Sequence, residues 1–233
     1  MTPTLYFAKG SCAFPCLVAL EEAGAPFRAV ALDLAAGEQT TSTYLAINPR
    51  GRVPALTVGA ATITESAAII CFIADSYPQA DLLPTEPLAR ARALELLSWF
   101  VSTIQVTFSQ FFRPARFSEE ELVQAQLKRD AAPRARQLLD ELDSLLTGAW
   151  LLGDGYSAPD PYLMVFWRWA EDRLGIEMTP YSRLAAHRKR LLARPAVQAA
   201  LAREAAPKGG RAGLTPVPSP RMRKTQHPGA MLD

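Results

Sequence analysis

Cysteine and histidine are scarce in this chain. Among 233 residues there are three cysteines, Cys12, Cys16 and Cys71, and two histidines. Three thiols cannot complete a disulfide framework, which fits a reducing compartment. Both histidines lie far along the chain from the cysteines, so no metal-ligand spacing is present and no metal is expected. Long apolar runs are missing too. None reaches the length of a bilayer span, and no basic segment followed by an apolar stretch opens the chain. The reading is a cytoplasmic protein starting near Met1, with no membrane partner.

Charge of one sign is also absent, with 25 Lys and Arg against 23 Asp and Glu. The small positive excess sits at one end. From Pro207 onward five basic residues face one acid, so residues 207–233 carry +4 and residues 1–206 carry −2. This segment holds five prolines and four glycines and few apolar residues. It is expected to be a disordered, solvated tail, and no nucleic-acid partner is expected. The remainder is ordinary globular material, 49% hydrophobic and 21% charged, with enough apolar residues for a sizeable core.

Residues 4–8, TLYFA, read as a strand, and residues 14–23 as a helix with Pro15 in its first turn and Gly24 at its end. Residues 27–34 alternate and read as a second strand. A short helical turn at 42–46, strands at 53–58 and 61–64, and a helix over 66–77 stopped by Pro78 complete a βαβαββα order. The proline-marked segment 79–86 reads as a linker. Residues 87–206 then show only helical patterns: one long helix over 87–112, one from Ser118 as N-cap to about Thr147, and helices over 158–174, 180–192 and 195–204. Pro133 is expected to kink or interrupt the second of these. The fold class is therefore an α/β domain, residues 1–78, followed by an all-α domain, residues 87–206.

Four stretches carry candidate chemistry. Cys12 lies between a strand end and a helix start, where unpaired N–H groups favour an anion and lower a thiol's pKa. It reads either as a reactive thiol or as a packing residue. Cys16 and Cys71 read as core. Val53-Pro54 begins a strand; a cis bond there would let Val53 offer its backbone to a peptide-like ligand, while a trans bond makes it a plain strand-starting proline. Thr64 to Ile69, TESAAI, places Glu65 and Ser66 at a helix N-terminus, suited to a carboxylate and an ammonium, or simply capped by Thr64 or Ser66. Ser157 and Asp160 read as a capping box that fixes a buried helix start.

Together these pieces resemble the glutathione transferase superfamily, most closely its bacterial beta-type class, over about residues 4–204. LYFAKGSCAF is similar to that class's opening, whose cysteine matches Cys12. LAINPRGRVPAL is similar to the segment running through its cis-proline, TESAAI to its γ-glutamyl-binding stretch, and YSAPDPYLMVFWRWA to its buried capping box. The resemblance implies a thioredoxin-like first domain and a homodimer. It implies conjugation of glutathione thiolate to a small apolar electrophile, a detoxification chemistry. Cys12 and Ser11 are then the catalytic candidates. Phe7, Arg52, Val53, Pro54, Glu65, Ser66, Ser102 and Gln105 are the candidates for binding glutathione. Phe14, Trp99, Thr107 and Phe108 are the candidates for the apolar pocket. Three positions depart from the class. Phe7 stands where a tyrosine is usual, Gln105-Val106 replaces a His-Lys pair, and residues 35–40, AAGEQT, lack a lysine. Two other readings stand beside conjugation: glutathione-dependent thiol–disulfide exchange or peroxidase activity at Cys12, and a non-catalytic ligand-binding scaffold.

Overall fold

The computed structural model of the protein describes residues 2–206; the basic segment from Pro207 onward lies outside them. Strand β1 (Thr4–Phe7) is the centre of a four-stranded sheet. It pairs in parallel with β2 (Arg28–Ala31) and antiparallel with β3 (Ala55–Val58), which pairs antiparallel with β4 (Ala61–Thr64), giving the order β2-β1-β3-β4. Strand alternation divides β1 between two cores. Leu5 and Phe7 face the main core under helices α1 (Phe14–Glu22) and α3 (Ser66–Ser76). Tyr6 faces a smaller cluster with Tyr44 of helix α2 (Ser42–Leu45), Leu32, Ile47 and Ala55. Cys16 is fully buried, and its thiol donates to the Ser66 carbonyl at 3.6 Å. Cys71 is only half-buried at the edge of α3, so it packs against the core rather than within it.

The expected long helix is one rod in three parts: α4 (Pro87–Trp99), a π-helical turn over Phe100–Ile104, and α5 (Gln105–Phe112). At the next helix, α6 (Glu121–Leu145), the expected cap is absent and the helix is not interrupted. Ser118 does not cap it; its Oγ accepts from the Glu120 N–H at 3.1 Å, closing a turn ahead of the helix. Pro133 does not interrupt it. Pro133 and Arg129 lie on the exposed side, where water can satisfy the carbonyl that proline leaves free, while Ala131, Ala135, Leu139 and Leu142 bury the opposite stripe.

Helix α7 (Pro161–Leu174) starts three residues later than expected, after a turn built on Asp160. One Asp160 oxygen accepts from the Ser157 N–H at 2.8 Å and the Ser157 hydroxyl at 3.0 Å. The other accepts from the Leu151 N–H at 2.9 Å and lies 2.7 Å from His187 Nε2 on helix α8 (Ser182–Leu192). Asp160 and His187 are both fully buried, so this carboxylate ties three segments together out of water. Helix α9 (Pro195–Ala205) packs back on α1, where Arg194 holds Glu22 through two bonds of 2.6 and 3.0 Å and Arg203 pairs with Glu21. Among the described residues no helix is long and apolar enough to cross a membrane.

Removing a buried, multiply bonded carboxylate strands its partners. Asp160→Ala should therefore lower stability by about 3–5 kcal/mol, read as a drop in the urea midpoint. Arg92→Ala, which opens an exposed pair with Glu95, should leave the midpoint in place.

Candidate active site

A cleft of about 270 Å³ runs between the edge of the sheet and the helical domain. Its floor is the turn after β1. Gly10 adopts φ +69°, and both of its backbone groups are held from the helical domain. Its N–H donates to Glu204 Oε1 at 3.0 Å, and its carbonyl accepts from the Trp169 indole N–H at 2.8 Å. Glu204 is itself buried and paired with Arg168 at 2.7 Å. The Ser11 hydroxyl donates to the Ala8 carbonyl at 2.7 Å and accepts from the Ala13 N–H at 3.2 Å, so its proton is engaged within the turn.

Cys12 follows, two residues ahead of α1. Its thiol donates to the Val53 carbonyl at 3.7 Å and accepts from Gln105 Nε2 at 3.4 Å. Burial pushes the thiol up to about 11; the bond from Gln105 and the charge of Arg113 pull the other way but do not offset it. The expected lowering does not occur. Cys12 lies outside the first turn of α1, and desolvation of a thiolate outweighs what the helix terminus offers.

The opposite wall is the segment entering β3. The Val53-Pro54 bond is cis. The Arg52 carbonyl accepts from the Tyr44 hydroxyl at 2.6 Å and from Asn48 Nδ2 at 2.7 Å, which anchors the residue before Val53. Burial raises the Tyr44 phenol, so it remains a donor. Gly51 turns the chain at φ +59°, where a β-carbon would come within 3.1 Å of the Gln39 carbonyl oxygen.

At the start of α3 Glu65 sits at φ +67°, ψ +119°, a conformation that costs a non-glycine residue about 1–3 kcal/mol. Neither neighbour caps the helix. The Ser66 hydroxyl accepts from the buried Tyr162 hydroxyl at 2.5 Å, and Thr64 Oγ1 accepts from Arg50 Nη1 at 2.8 Å. Burial pushes Tyr162 well up, so it too stays protonated. Helical wall and sheet thus share the site: Tyr162 positions Ser66, and Gln105 reaches Cys12.

The cleft brings together Ser11, Cys12, Arg52, Val53, Pro54, Glu65, Ser66 and Gln105. Six candidates stand elsewhere. Phe7 and Phe14 are buried in the main core, Phe14 beneath the Arg168 guanidinium at 4.5 Å. Trp99 packs beside Phe100. Ser102 is exposed, and Thr107 donates to the Thr103 carbonyl at 3.0 Å. Phe108 lies behind the wall, against Phe112, Phe166 and Trp169. The reason is angular. Residues three away from Gln105 turn roughly 60° off its face, so Ser102 points to solvent and Phe108 to the core. Those four away, Val101 and Ser109, line the cleft. Phe112, Arg113, Arg116, Val106, Trp169 and Arg50 also line it and went unrecognised. The i, i+4 series from Val101 was the available signal; Trp169 had none.

A cis-proline, a helix N-terminus and a cysteine turn gather on a thioredoxin-like sheet, with an all-helical domain closing one side, as the resemblance to glutathione transferases implies. Comparison with known proteins agrees. Residues 1–75 match the glutathione S-transferase N-terminal domain family. The chain is 31% identical over 204 residues to glutathione S-transferase GstA of Escherichia coli O157:H7, covering 86% of this chain and 98% of that one. It is 34% identical to glutathione S-transferase GST-4.5 of Xanthomonas campestris over the same shares. Among solved structures, a glutathione transferase homologue from Sulfitobacter with bound glutathione superposes with a TM-score of 0.83 at 32% identity, over 87% of this chain and 98% of that one. The beta-class glutathione S-transferase of Sphingomonas chungbukensis gives 0.75 at 35%, over 86% and 98%. The chain belongs to the glutathione S-transferase family.

A thiol at about 11 is almost wholly protonated at neutral pH. Alkylation of Cys12 by iodoacetamide should therefore rise about tenfold per pH unit between pH 7 and 10 without levelling off. Gln105→Leu removes a bond that lowers the value, so it should slow the reaction at every pH. Peptide mass spectrometry reads both; a plateau by pH 8 contradicts the assignment.

Proposed function

We propose that the cleft binds glutathione and conjugates its thiolate to a small electrophile. In this reading residues 1–78 form the glutathione-binding domain, 79–86 the linker and 87–206 the helical domain. The backbone of Val53 pairs with the cysteinyl unit, the start of α3 with Ser66 takes the γ-glutamyl carboxylate, and Glu65 takes its ammonium. Arg52 offers a cation to the glycyl carboxylate. The observation that carries the reading is the Cys12 thiol set in the cleft between the Val53 carbonyl and the Gln105 carboxamide. Once the ligand's amide occupies the Val53 carbonyl, the S–H is free to donate to the glutathione sulfur. A bond to the anion favours the thiolate, whose proton leaves to solvent. The sulfur then forms a bond to the electrophilic carbon as the leaving group departs with its electron pair. Gln105 Oε1, buried and without a partner among the described residues, adds an acceptor beside the reacting atoms.

The same protonated thiol argues against disulfide exchange at neutral pH, which needs Cys12 as thiolate. Ser11 is disfavoured because its proton is held by Ala8. A homodimer belongs to this reading as what the resemblance to the family implies. Three free cysteines fit the cytoplasm, and the chemistry fits detoxification of apolar electrophiles.

The test joins retention on immobilised glutathione with conjugation of a chlorodinitrobenzene. Wild type should be retained and active. Cys12→Ala should lose about ten- to a hundredfold in kcat/KM, the value of one hydrogen bond to a charged sulfur. In Cys12→Ala the pH–rate profile should show the bound glutathione thiol shifted upward relative to wild type. With oxidised glutathione at neutral pH, wild type should gain no rapid mass adduct. A fast adduct lost in Cys12→Ala points to exchange instead, and absence of both retention and conjugation points to a scaffold.

A further inference from the structure

The helical side of the cleft carries charge that the glutathione reading leaves unused. Arg113 follows Phe112 at the end of α5, and Arg116 ends the short turn Pro114–Arg116. Both line the cleft beside Phe112 and Trp169. Among the described residues neither has a carboxylate within ion-pair distance. The other contact of Arg116 is the face of Phe117, 6.0 Å away. Burial and the nearby charges of Arg52 and Arg113 lower the Arg116 guanidinium's pKa, and Arg113 is close enough to act on Cys12. Three guanidinium groups from two domains therefore converge on one opening.

Charge counting says what they lack. Among the described residues the cleft is lined by Arg50, Arg52, Arg113 and Arg116 against one acid, Glu65. Glutathione brings two carboxylates, one ammonium and, once ionised, a thiolate. Four arginines and one glutamate give the lining +3 and ionised glutathione brings −2, so positive charge is left over, and two of the four arginines, Arg113 and Arg116, stand on the helical wall. Like charges held together in a partly dry cleft favour an arriving anion, and guanidinium forks match a carboxylate.

We propose that the second substrate is an electrophile bearing a carboxylate, held by Arg113 and Arg116 while its apolar body lies against Phe112 and Trp169. This rests on the transferase reading and names the class of molecule that the apolar wall alone would not select. Val101 and Val106 line the same cleft; in this proposal the carboxylate meets the arginines and the reacting carbon faces Cys12.

Binding of three glutathione derivatives tests it, read by titration calorimetry: S-methylglutathione, S-(4-carboxybenzyl)glutathione and its carboxamide, S-(4-carbamoylbenzyl)glutathione. Wild type should prefer the carboxylate to the amide by about tenfold at low salt, the reach of two exposed ion pairs. The preference should shrink as salt rises to about 0.5 M. In Arg113→Gln/Arg116→Gln the ratio should fall to near one. A wild-type ratio near one, with S-methylglutathione bound, overturns the proposal and leaves the transferase reading intact. Loss of S-methylglutathione binding in the double variant overturns it too, by assigning these arginines to the tripeptide. Failure of wild type to bind S-methylglutathione overturns both.

Discussion

The site depends on how the helical domain grips a single glycine. Gly10 has no side chain to be held by, yet its N–H and C=O are both taken, by Glu204 from α9 and by the Trp169 indole from α7. Arg168 fixes Glu204 and lies over the ring of Phe14, so the grip extends to the first turn of α1. The turn bearing Cys12 is therefore shaped by the helical domain as well as by its own bonds through Ser11. The same holds across the cleft, where Tyr162 sets Ser66 and Gln105 meets the thiol. Bonds from buried donors lose little to water and resist rotation. A site assembled from two domains is in this way held as firmly as one built on a single sheet.

Its chemistry is that of neutral groups ringed by cations. Burial keeps Cys12, Tyr44 and Tyr162 protonated, so each acts as a hydrogen-bond donor. Positive charge enters through arginines, which keep their protons in any such setting. In the proposed reaction this arrangement would favour an incoming sulfur anion without making a second nucleophile beside it. Gln105-Val106 stands where the resemblance implies a His-Lys pair. The carboxamide keeps a donor on the sulfur, and the charge reappears at Arg113 and Arg116, two to three turns further on.

Much of this was legible in the sequence because it is local. The strand at residues 4–8 was read from its β-branched and aromatic residues, prolines and glycines marked the element ends, and VPAL and TESAAI fell at a strand and a helix start. What was hidden depended on distant pairing. Nothing near Ser118 shows that its hydroxyl will close a turn instead of capping α6, and Pro133 is tolerated only because that side of the helix meets water. Cys12 looked activated because its flank reads as a helix start; the carboxamide that meets its thiol, Gln105 on α5, is 93 residues away. On α5 the face was found at Gln105, but a rotation of one residue either way exchanges solvent, cleft and core, and short periodic segments do not fix that phase.

The grip on Gly10 also has a meaning for synthesis. The chain is made from its N-terminus, and a βαβαββα unit can collapse as soon as it emerges. Its cysteine turn must wait for Trp169 and then for Glu204, almost the last of the described residues. A ribosome-bound or prematurely ended chain would carry the sheet, the cis-proline segment and Ser66, but an unsupported thiol loop. The order of manufacture thus withholds the finished site until nearly all of the protein that supports it has been made.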